Sequence, residues 1–216
     1  MIIIGITGKA GSGKDTVGEI LKEKHDFATT SFAWPIKKMV TGLFGFDVDK
    51  WDDREWRETE QEVWGCTPRH LAQTLGTEWG RQRISDTLWL DLALKRIEEE
   101  EFPFVAITDV RFHNEADRLR EYSYGHIIHV HRADLGAESG DKINRRHASE
   151  QGIGNPNTND FHINNFGTIE DLEEQVTQVL ERILELQQED MERAADEAIA
   201  NAEVQGDADD PAGDGN

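Results

Sequence analysis

A glycine-rich segment near the N-terminus has the residue types and the spacing of a phosphate-binding loop. Residues 8–14 read Gly-Lys-Ala-Gly-Ser-Gly-Lys, which matches the pattern G-x-x-x-x-G-K. Glycines let successive backbone N–H groups approach phosphate oxygens, and a following helix points its partly positive N-terminus at the same anion. Lys14 would place a compact charge at the β- and γ-phosphates. The residues expected to bind ATP are Gly8, Lys9, Gly11, Ser12, Gly13, Lys14, Asp15 and Thr16.

The residue after Lys14 departs from the common form of this loop, in which a Ser or Thr hydroxyl binds Mg²⁺. Asp15 stands at that position and is followed by Thr16. A carboxylate is a hard oxygen ligand that could hold Mg²⁺ directly or through water. An Asp near a helix N-terminus also stabilises the helix by itself. The residues alone leave both roles open.

A second group of polar side chains follows another apolar run, in the segment Ile107-Thr108-Asp109-Val110-Arg111. Ligands of open parallel sheets bind at the carboxyl ends of the strands. Asp109 could orient Mg²⁺-bound water or assist a phosphoryl acceptor, and Arg111 could bind a phosphate through two parallel hydrogen bonds. A local ion pair between these two side chains is the alternative. Lys14, Asp109 and Arg111 are the predicted catalytic residues, and Asp15 and Asp109 the predicted Mg²⁺ ligands.

Apolar runs and helical periods alternate along the chain and predict an α/β fold with a parallel sheet. Short β-branched runs indicate buried strands, and apolar residues at helical spacing indicate amphipathic helices. The predicted strands cover 2–7, 27–32, 102–108, 126–131 and 161–164. Predicted helices begin at Asp15 and at Ala33, and a third runs from Thr67 to Gly76. A fourth places Leu88, Leu92 and Ile97 together, and a fifth covers 114–122. The last follows an N-cap at Thr168, with Asp171 three residues further on.

Composition excludes several classes of function. The 216 residues include 44 acidic and 23 basic side chains, for a formal net charge of −21, which argues against nucleic-acid binding. No apolar run approaches the roughly 18 residues of a membrane helix, and the N-terminus lacks the basic flank of a signal peptide. One cysteine, Cys66, excludes an intrachain disulfide. We expect one cytoplasmic α/β domain with no membrane or nucleic-acid partner.

The acidic residues are concentrated at the C-terminus. Residues 188–216 contain ten acidic residues and one basic residue, Arg193. From about Gln205 no helical period remains, and such a composition cannot bury enough apolar surface to fold. We predict a folded domain over 1–187, followed over 188–216 by an acidic helical extension and a disordered tail.

Further segments resemble the phage-type deoxynucleoside monophosphate kinases, a branch of the P-loop nucleotide kinase superfamily. Gly-Lys-Asp, in place of Gly-Lys-Ser or Gly-Lys-Thr, is itself a feature of that family. The segments occur in family order and span roughly residues 2–186. They are 8–16, Pro-Ile-Lys at 35–37, Leu-Gly-Thr-Glu at 75–78, Asp-Val-Arg-Phe-His-Asn-Glu at 109–115, His-Ala-Ser-Glu at 147–150 and Ile-Asn-Asn-Phe-Gly-Thr-Ile-Glu-Asp-Leu at 163–172.

The resemblance implies a three-layer P-loop fold with a helical acceptor-binding insertion at 34–90 and a lid at 132–160. It implies phosphorylation of a deoxynucleoside monophosphate by ATP with Mg²⁺, in support of phage DNA replication in the host cytoplasm, and it favours a homodimer. The implied acceptor-binding residues are Lys37, Arg69, Gly76, Thr77, Arg111 and Glu115, and the implied lid arginines are Arg132, Arg145 and Arg146.

Two alternative functions remain open at this point. Another small-molecule P-loop kinase, of the dephospho-coenzyme A or phosphomevalonate type, would share the loop and the lid. A P-loop ATPase or switch without a small acceptor is disfavoured, since no Asn-Lys-x-Asp guanine signature is present.

All six tryptophans lie between residues 34 and 89, where burial in a helical core is favoured over stacking on a base. A metal site at His129 and His131 is disfavoured for lack of a carboxylate at a clear spacing.

Overall fold

A five-stranded sheet lies at the centre of the fold in the computed structural model, which describes residues 1–132, 153 and 157–208. The strands are β1 (Ile2–Thr7), β2 (Ala28–Thr30), β3 (Phe104–Ile107), β4 (Gly125–His131) and β5 (Phe161–Asn164). Their order in the sheet is β2-β3-β1-β4-β5, and every strand pair in the described residues is parallel. The predicted α/β class is therefore confirmed.

Helices connect the strands. The α-helices are α1 (Lys14–His25), α2 (Trp34–Phe44), α3 (Arg54–Glu58), α4 (Pro68–Gln73), α5 (Leu88–Glu100), α6 (His113–Arg120) and α7 (Ile169–Ala208). A 3₁₀-helix covers Val48–Asp52 and a π-helix covers Thr74–Ile84. The long α2-to-α5 connection between β2 and β3 is the segment predicted to bind the acceptor.

Strand β1 occupies the middle of the sheet, and every one of its residues is buried. Its isoleucines suit a strand covered on both faces. Ile4 is in register with Ala106 of β3 and with His126 of β4. The carboxyl end of β1 therefore lies beside the carboxyl end of β3, and the segments that follow these two strands are neighbours.

Helices α1 and α6 cover opposite faces of β1, which makes the fold three-layered. A Cβ atom built on Gly18 of α1 would lie 2.6 Å from Thr108 Cγ2 and 3.9 Å from Ile6 Cδ1. A Cβ atom built on Gly5 would lie 2.7 Å from Leu119 Cδ1 of α6. Since Gly5 and Ile6 are consecutive strand residues, they face opposite sides of the sheet.

Two predicted helices differ from those in the structure. The helix predicted to end at Gly76 continues as the π-helix, where the Gly76 carbonyl accepts a hydrogen bond from Trp89 Nε1 at 2.7 Å. A Cβ atom built on Gly80 would lie 2.4 Å from the Trp89 ring, so glycine there admits the indole instead of ending the helix. Leu92 of α5, predicted to join Leu88 and Ile97, is 44% exposed, because Trp89, Leu90, Ala93, Leu94 and Ile97 form the buried face.

The chain divides into two compact units at a boundary inside α7, between Val176 and Thr177. Helix α7 begins as predicted, since Thr168 N donates to Asp171 Oδ2 and Asp171 N donates to Thr168 Oγ1. It continues to Ala208, three residues beyond Gln205, near which the sequence predicts the disordered tail to begin. Alanine and glutamate favour helix, and the first proline of this segment is Pro211. Residues 209–216 lie outside the described residues.

Within the described part of the chain, no helix has the length and apolar character needed to cross a membrane.

Alanine at Gly18 and at Gly42 should have opposite effects, although both glycines lie inside α-helices. Gly42→Ala meets open space and should raise the free energy of unfolding by about 0.5–1 kcal/mol through helix propensity. Gly18→Ala should lower it by about 1–3 kcal/mol, because the new methyl group overlaps Thr108. Urea unfolding of the two variants tests this, and equal stability of the two would show that α1 does not pack as described.

Candidate active site

The predicted phosphate-binding loop lies between β1 and α1, at the carboxyl edge of the sheet. Gly11 and Gly13 have φ angles of 81° and 96°, values that residues with a Cβ atom rarely adopt. Gly13 forms the N-terminal boundary of α1. A Cβ atom built on Gly8 would lie 2.5 Å from Ser12 Oγ and 2.6 Å from the Val130 carbonyl oxygen. Glycine is therefore required at 8 for space and at 11 and 13 for backbone conformation.

Lys14 and Asp15 form an ion pair in the first turn of α1. Lys14 Nζ lies 3.0 Å from Asp15 Oδ1, and the Lys14 side chain is 15% exposed against 80% for Asp15. The acidic side chain stands at the positive end of the helix, as expected for a residue that stabilises a helix N-terminus. It also stands directly beside the predicted phosphate-binding lysine.

Asn165 joins the phosphate-binding loop to the end of β5. Its Nδ2 donates to the Ser12 carbonyl oxygen at 2.9 Å, and a Cβ atom built on Gly13 would lie 2.2 Å from that nitrogen. Its backbone N–H donates to the His131 carbonyl at 2.7 Å. Asn165 belongs to the 163–172 motif, and its place at the end of a predicted strand is the sequence signal that points to it.

Asp109 follows β3 and holds the start of α2. Its Oδ1 accepts from Phe32 N at 2.7 Å and its Oδ2 from Ala33 N at 3.0 Å. The Val110 N–H donates to the Ile6 carbonyl, so this turn lies against the end of β1. Asp109 is 8% exposed. The carboxylate thus ties the predicted acceptor-binding segment to the strand beside the phosphate-binding loop.

Glu115 is the most buried charged side chain of the predicted site, with 1% of its surface exposed. Its Oε2 accepts from Arg111 N at 2.7 Å and from Phe112 N at 3.0 Å, which fixes the turn that carries Arg111. Its Oε1 pairs with Arg81 of the π-helix. Burial raises the pKa of Glu115 to about 7, against the opposing effects of Arg81 and the backbone N–H of Arg111.

Arg81 is a site residue that the sequence analysis missed. Its guanidinium lies 4.0 Å from the centre of the Phe112 ring, and its Nη1 donates to the Asp86 carbonyl at 2.8 Å. The side chain is only 12% exposed. It stands three residues beyond the Leu-Gly-Thr-Glu motif, and no local pattern pairs it with Glu115, 34 positions away.

The remaining predicted acceptor residues are spread over α2, α4 and the π-helix. Lys37 and Thr77 are half-buried, and Gly76 is buried with its carbonyl bonded to Trp89. Arg69 Nη1 is 2.6 Å from Glu58 Oε1. Arg57, which the sequence analysis did not single out, has its Nε buried with no hydrogen-bond partner among the described residues.

Some tryptophans of this segment are buried in the core and others are exposed. Trp51 and Trp89 are 3% and 2% exposed, in agreement with the prediction of burial. Trp64 and Trp79 are 47% and 44% exposed, against it. Trp51 Nε1 donates to Thr41 Oγ1 at 2.7 Å, so the buried indole is satisfied.

The predicted lid lies almost wholly outside the described residues. Arg132 is described and exposed directly after β4. Arg145 and Arg146 fall within 133–152, of which the structure describes nothing.

His129 of β4 is bonded to an acidic residue, Asp160, that sequence spacing did not reveal. Asp160 Oδ2 lies 2.7 Å from His129 Nε2 and 2.6 Å from Arg120 Nη2. These bonds, with that from Asn157 N, hold the pKa of Asp160 below its usual value, although burial raises it. Burial lowers the pKa of His129. Across the described residues, no three His, Cys, Asp or Glu side chains are grouped as metal ligands would be.

The pKa of Glu115 makes stability depend on pH in a stated direction. The folded protein keeps this proton up to about pH 7, whereas an unfolded chain loses it near 4.5. Its contribution is therefore complete below pH 4.5 and is lost as the pH rises through about 7. We expect the free energy of unfolding of the native chain, minus that of Glu115→Gln, to fall between pH 5 and pH 8 in urea titrations. A constant difference would contradict the buried acid.

The family model for deoxynucleotide monophosphate kinase matches residues 54–176, which include the π-helix, Asp109, Arg111 and Glu115. A solved structure of shikimate kinase from Aquifex aeolicus vf5 aligns with 83% of this chain and 96% of that chain, at 15% identity and a TM-score of 0.41. That similarity is too low to support an argument about function.

Two curated relatives have the same kind of name as the family. A putative deoxynucleotide monophosphate kinase of Acanthamoeba polyphaga mimivirus is 32% identical over 193 residues, which cover 82% of this chain and 94% of that protein. The deoxynucleoside-5'-monophosphate kinase of Escherichia phage T5 is 24% identical over 212 residues, which cover 70% of this chain and 85% of that protein. These matches favour the main prediction over the other small-molecule kinases and over the ATPase or switch. As its motifs predicted, the chain belongs to the deoxynucleotide monophosphate kinase family.

Proposed function

We propose that this chain transfers the γ-phosphoryl group of ATP to a deoxynucleoside monophosphate, giving ADP and the deoxynucleoside diphosphate. The observation that carries the proposal is the placement of the Lys14 loop beside the Asp109–Arg111 turn, at the ends of neighbouring parallel strands. A phosphate oxygen of the acceptor attacks the γ-phosphorus, and the bond from that phosphorus to the β–γ bridging oxygen breaks.

The donor site is assigned to the loop. In this proposal the backbone N–H groups of the loop, apart from that of Ser12, which donates to the Lys9 carbonyl, face the phosphates of ATP together with the N-terminus of α1. Lys14 supplies the charge at the β- and γ-phosphates. The low exposure of the Lys14 side chain supports this role, because a partly desolvated cation interacts more strongly with an anion. Asn165 holds the loop by its bond to Ser12.

The residues present are suited to Mg²⁺ bound together with ATP. Mg²⁺ in kinases is held by one or two carboxylates, water and the phosphates themselves. Asp15 offers an 80% exposed carboxylate next to Lys14, and Asp109 offers oxygens whose present partners are two backbone N–H groups. Asp15 and Asp109 are the carboxylates that we assign to hold the ion. When bound, Mg²⁺ neutralises part of the charge on the β- and γ-phosphates.

The acceptor site is assigned to the α2-to-α5 segment and the Arg111 turn. Arg111 binds the monophosphate with help from Lys37 and Arg69, and Gly76 and Thr77 lie near the base or sugar. Arg57 joins this set, because its buried Nε, which has no acceptor among the described residues, suits an anionic ligand. In place of the substrate contact that the resemblance implied, we assign Glu115 to positioning Arg111, since its oxygens already accept from the protein.

The charge balance of the chain is compatible with two anionic substrates. The net charge of −21 is screened over about 8 Å at physiological salt, so nearby cations control the field at the site. Phosphoryl transfer needs positioning and cationic stabilisation more than covalent chemistry. The arginines Arg132, Arg145 and Arg146 would close over the phosphates and exclude water as a competing acceptor.

The proposal extends to the setting of the reaction. The kinase acts in the cytoplasm, that of the host if the chain is encoded by a phage, and supplies precursors for DNA synthesis. It binds neither nucleic acid nor membrane. Gel filtration of the purified chain tests the homodimer that the family resemblance implies.

Removal of the Lys14 charge should abolish most turnover. We expect Lys14→Ala to lower the rate of ADP release in the presence of a deoxynucleoside monophosphate by about 10²–10³-fold, as for other groups that stabilise transition-state charge. Lys22→Ala, on the exposed side of the same helix, is the matched control and should retain full activity. Native turnover that is independent of every monophosphate would overturn the proposal.

Neutralising Asp15 should weaken the response to Mg²⁺. We expect Asp15→Asn to raise the Mg²⁺ concentration for half-maximal rate by about tenfold, which corresponds to about 1.4 kcal/mol. The control is Glu23→Gln, whose carboxylate lies on α1 and away from the loop. An unchanged Mg²⁺ requirement in Asp15→Asn would leave this side chain with helix stabilisation alone.

A further inference from the structure

A buried ion pair connects the π-helix to the turn that carries Arg111. Arg81 Nη2 pairs with Glu115 Oε1, and the two side chains are 12% and 2% exposed. Arg81 belongs to the π-helix (Thr74–Ile84) and Glu115 to the first turn of α6 (His113–Arg120). The pair therefore joins two elements that are far apart in sequence.

Each member of the pair also holds backbone. Glu115 Oε2 accepts from both Arg111 N and Phe112 N. The Arg81 guanidinium stacks on Phe112 and donates to the Asp86 carbonyl, which also accepts from Asn114 Nδ2 at 3.2 Å. The result is a continuous network in which the backbone at 111–112 is fixed to the π-helix by one carboxylate and one guanidinium.

Stability alone is a poor reason for such a pair. Desolvating two charges costs several kcal/mol, and apolar residues of similar volume commonly give equal or greater stability. The pair instead fixes orientation, because the planar guanidinium donates in fixed directions to two acceptors, Glu115 Oε1 and the Asp86 carbonyl. These bonds fix the position of the Arg111 turn.

We propose that Arg81 and Glu115 are positioning residues for the acceptor site, which hold Arg111 in register with the π-helix. This inference rests on the proposed function, in which Arg111 binds the acceptor phosphate. The π-helix carries Gly76 and Thr77, assigned to the base or sugar, so the pair sets the spacing between the two ends of the bound monophosphate.

A double-mutant cycle between Arg81 and Arg111 tests the inference. We expect Arg81→Met to lower kcat/KM for the monophosphate by about tenfold to a hundredfold, as for a small misplacement of a substrate-binding group. The KM for ATP should stay within twofold of the native value. In an Arg111→Ala background, the same Arg81→Met change should lower kcat/KM by less than threefold, because the side chain it positions is already absent.

Two controls separate positioning from general destabilisation. Arg118→Ala removes the exposed Arg118–Glu121 pair of the same helix and should leave both kinetic constants unchanged. Arg81→Lys keeps the charge but lacks the two-directional fork, so it should stay folded in urea titrations and still lose part of the kcat/KM for the monophosphate. If Arg81→Met does not fold, the cycle is carried out with Arg81→Lys.

Two outcomes would overturn the inference, and they differ in what else they overturn. Losses from Arg81 and Arg111 variants that simply multiply would exclude positioning and leave the proposed function intact. Native kinetics in Arg111→Ala would remove Arg111 from the acceptor site, and with it both the proposed role and this inference.

Discussion

The parallel hydrogen-bond register between β1 and β3 is the constraint on which the site depends. It brings the loop after Thr7 and the turn after Ile107 to one edge of the sheet. Backbone pairing alone places them there, so no side-chain contact between the loop and the turn is needed. Asp109 then uses that edge to fix the start of α2 through two backbone N–H groups. The Asp109 carboxylate and the glycine-rich loop therefore owe their proximity to backbone pairing, and the α2-to-α5 segment owes its starting point to the carboxylate.

Local signals in the sequence were sufficient for the sheet and for the loop. The isoleucine run of β1, the glycine spacing at 8–13 and the Thr168–Asp171 cap are each contained within about ten residues, and each was predicted in place. The same applies to Asp109 at a strand end. These features follow from propensity and hydrogen bonding along one short segment, which is the information that a single sequence carries.

Features that depend on distant partners were not predictable in the same way. The π-helix persists through Gly76 and Gly80 because Trp89 occupies the space that side chains would fill, and the residues around Gly76 by themselves predict a stop. Leu92 has the correct spacing for a core position, yet the neighbouring Trp89 and Ala93 take that face. Nothing in the sequence around Arg81 distinguishes it from an arginine on the surface, and only the fold reveals Glu115 as its partner.

The π-helix also has a consequence for which changes of length this segment accepts. Helices of this kind are rare, and their hydrogen bonds run from i to i+5, one residue further than in the α-form. Deleting one residue between Gly76 and Arg81 while this pairing persists would rotate everything after the deletion by roughly a quarter of a turn about the helix axis. Trp89 would lose its two glycines, and the guanidinium would face away from α6. Substitutions at exposed positions of Thr74–Ile84 leave this geometry in place, whereas an insertion or deletion changes the phase of the whole segment.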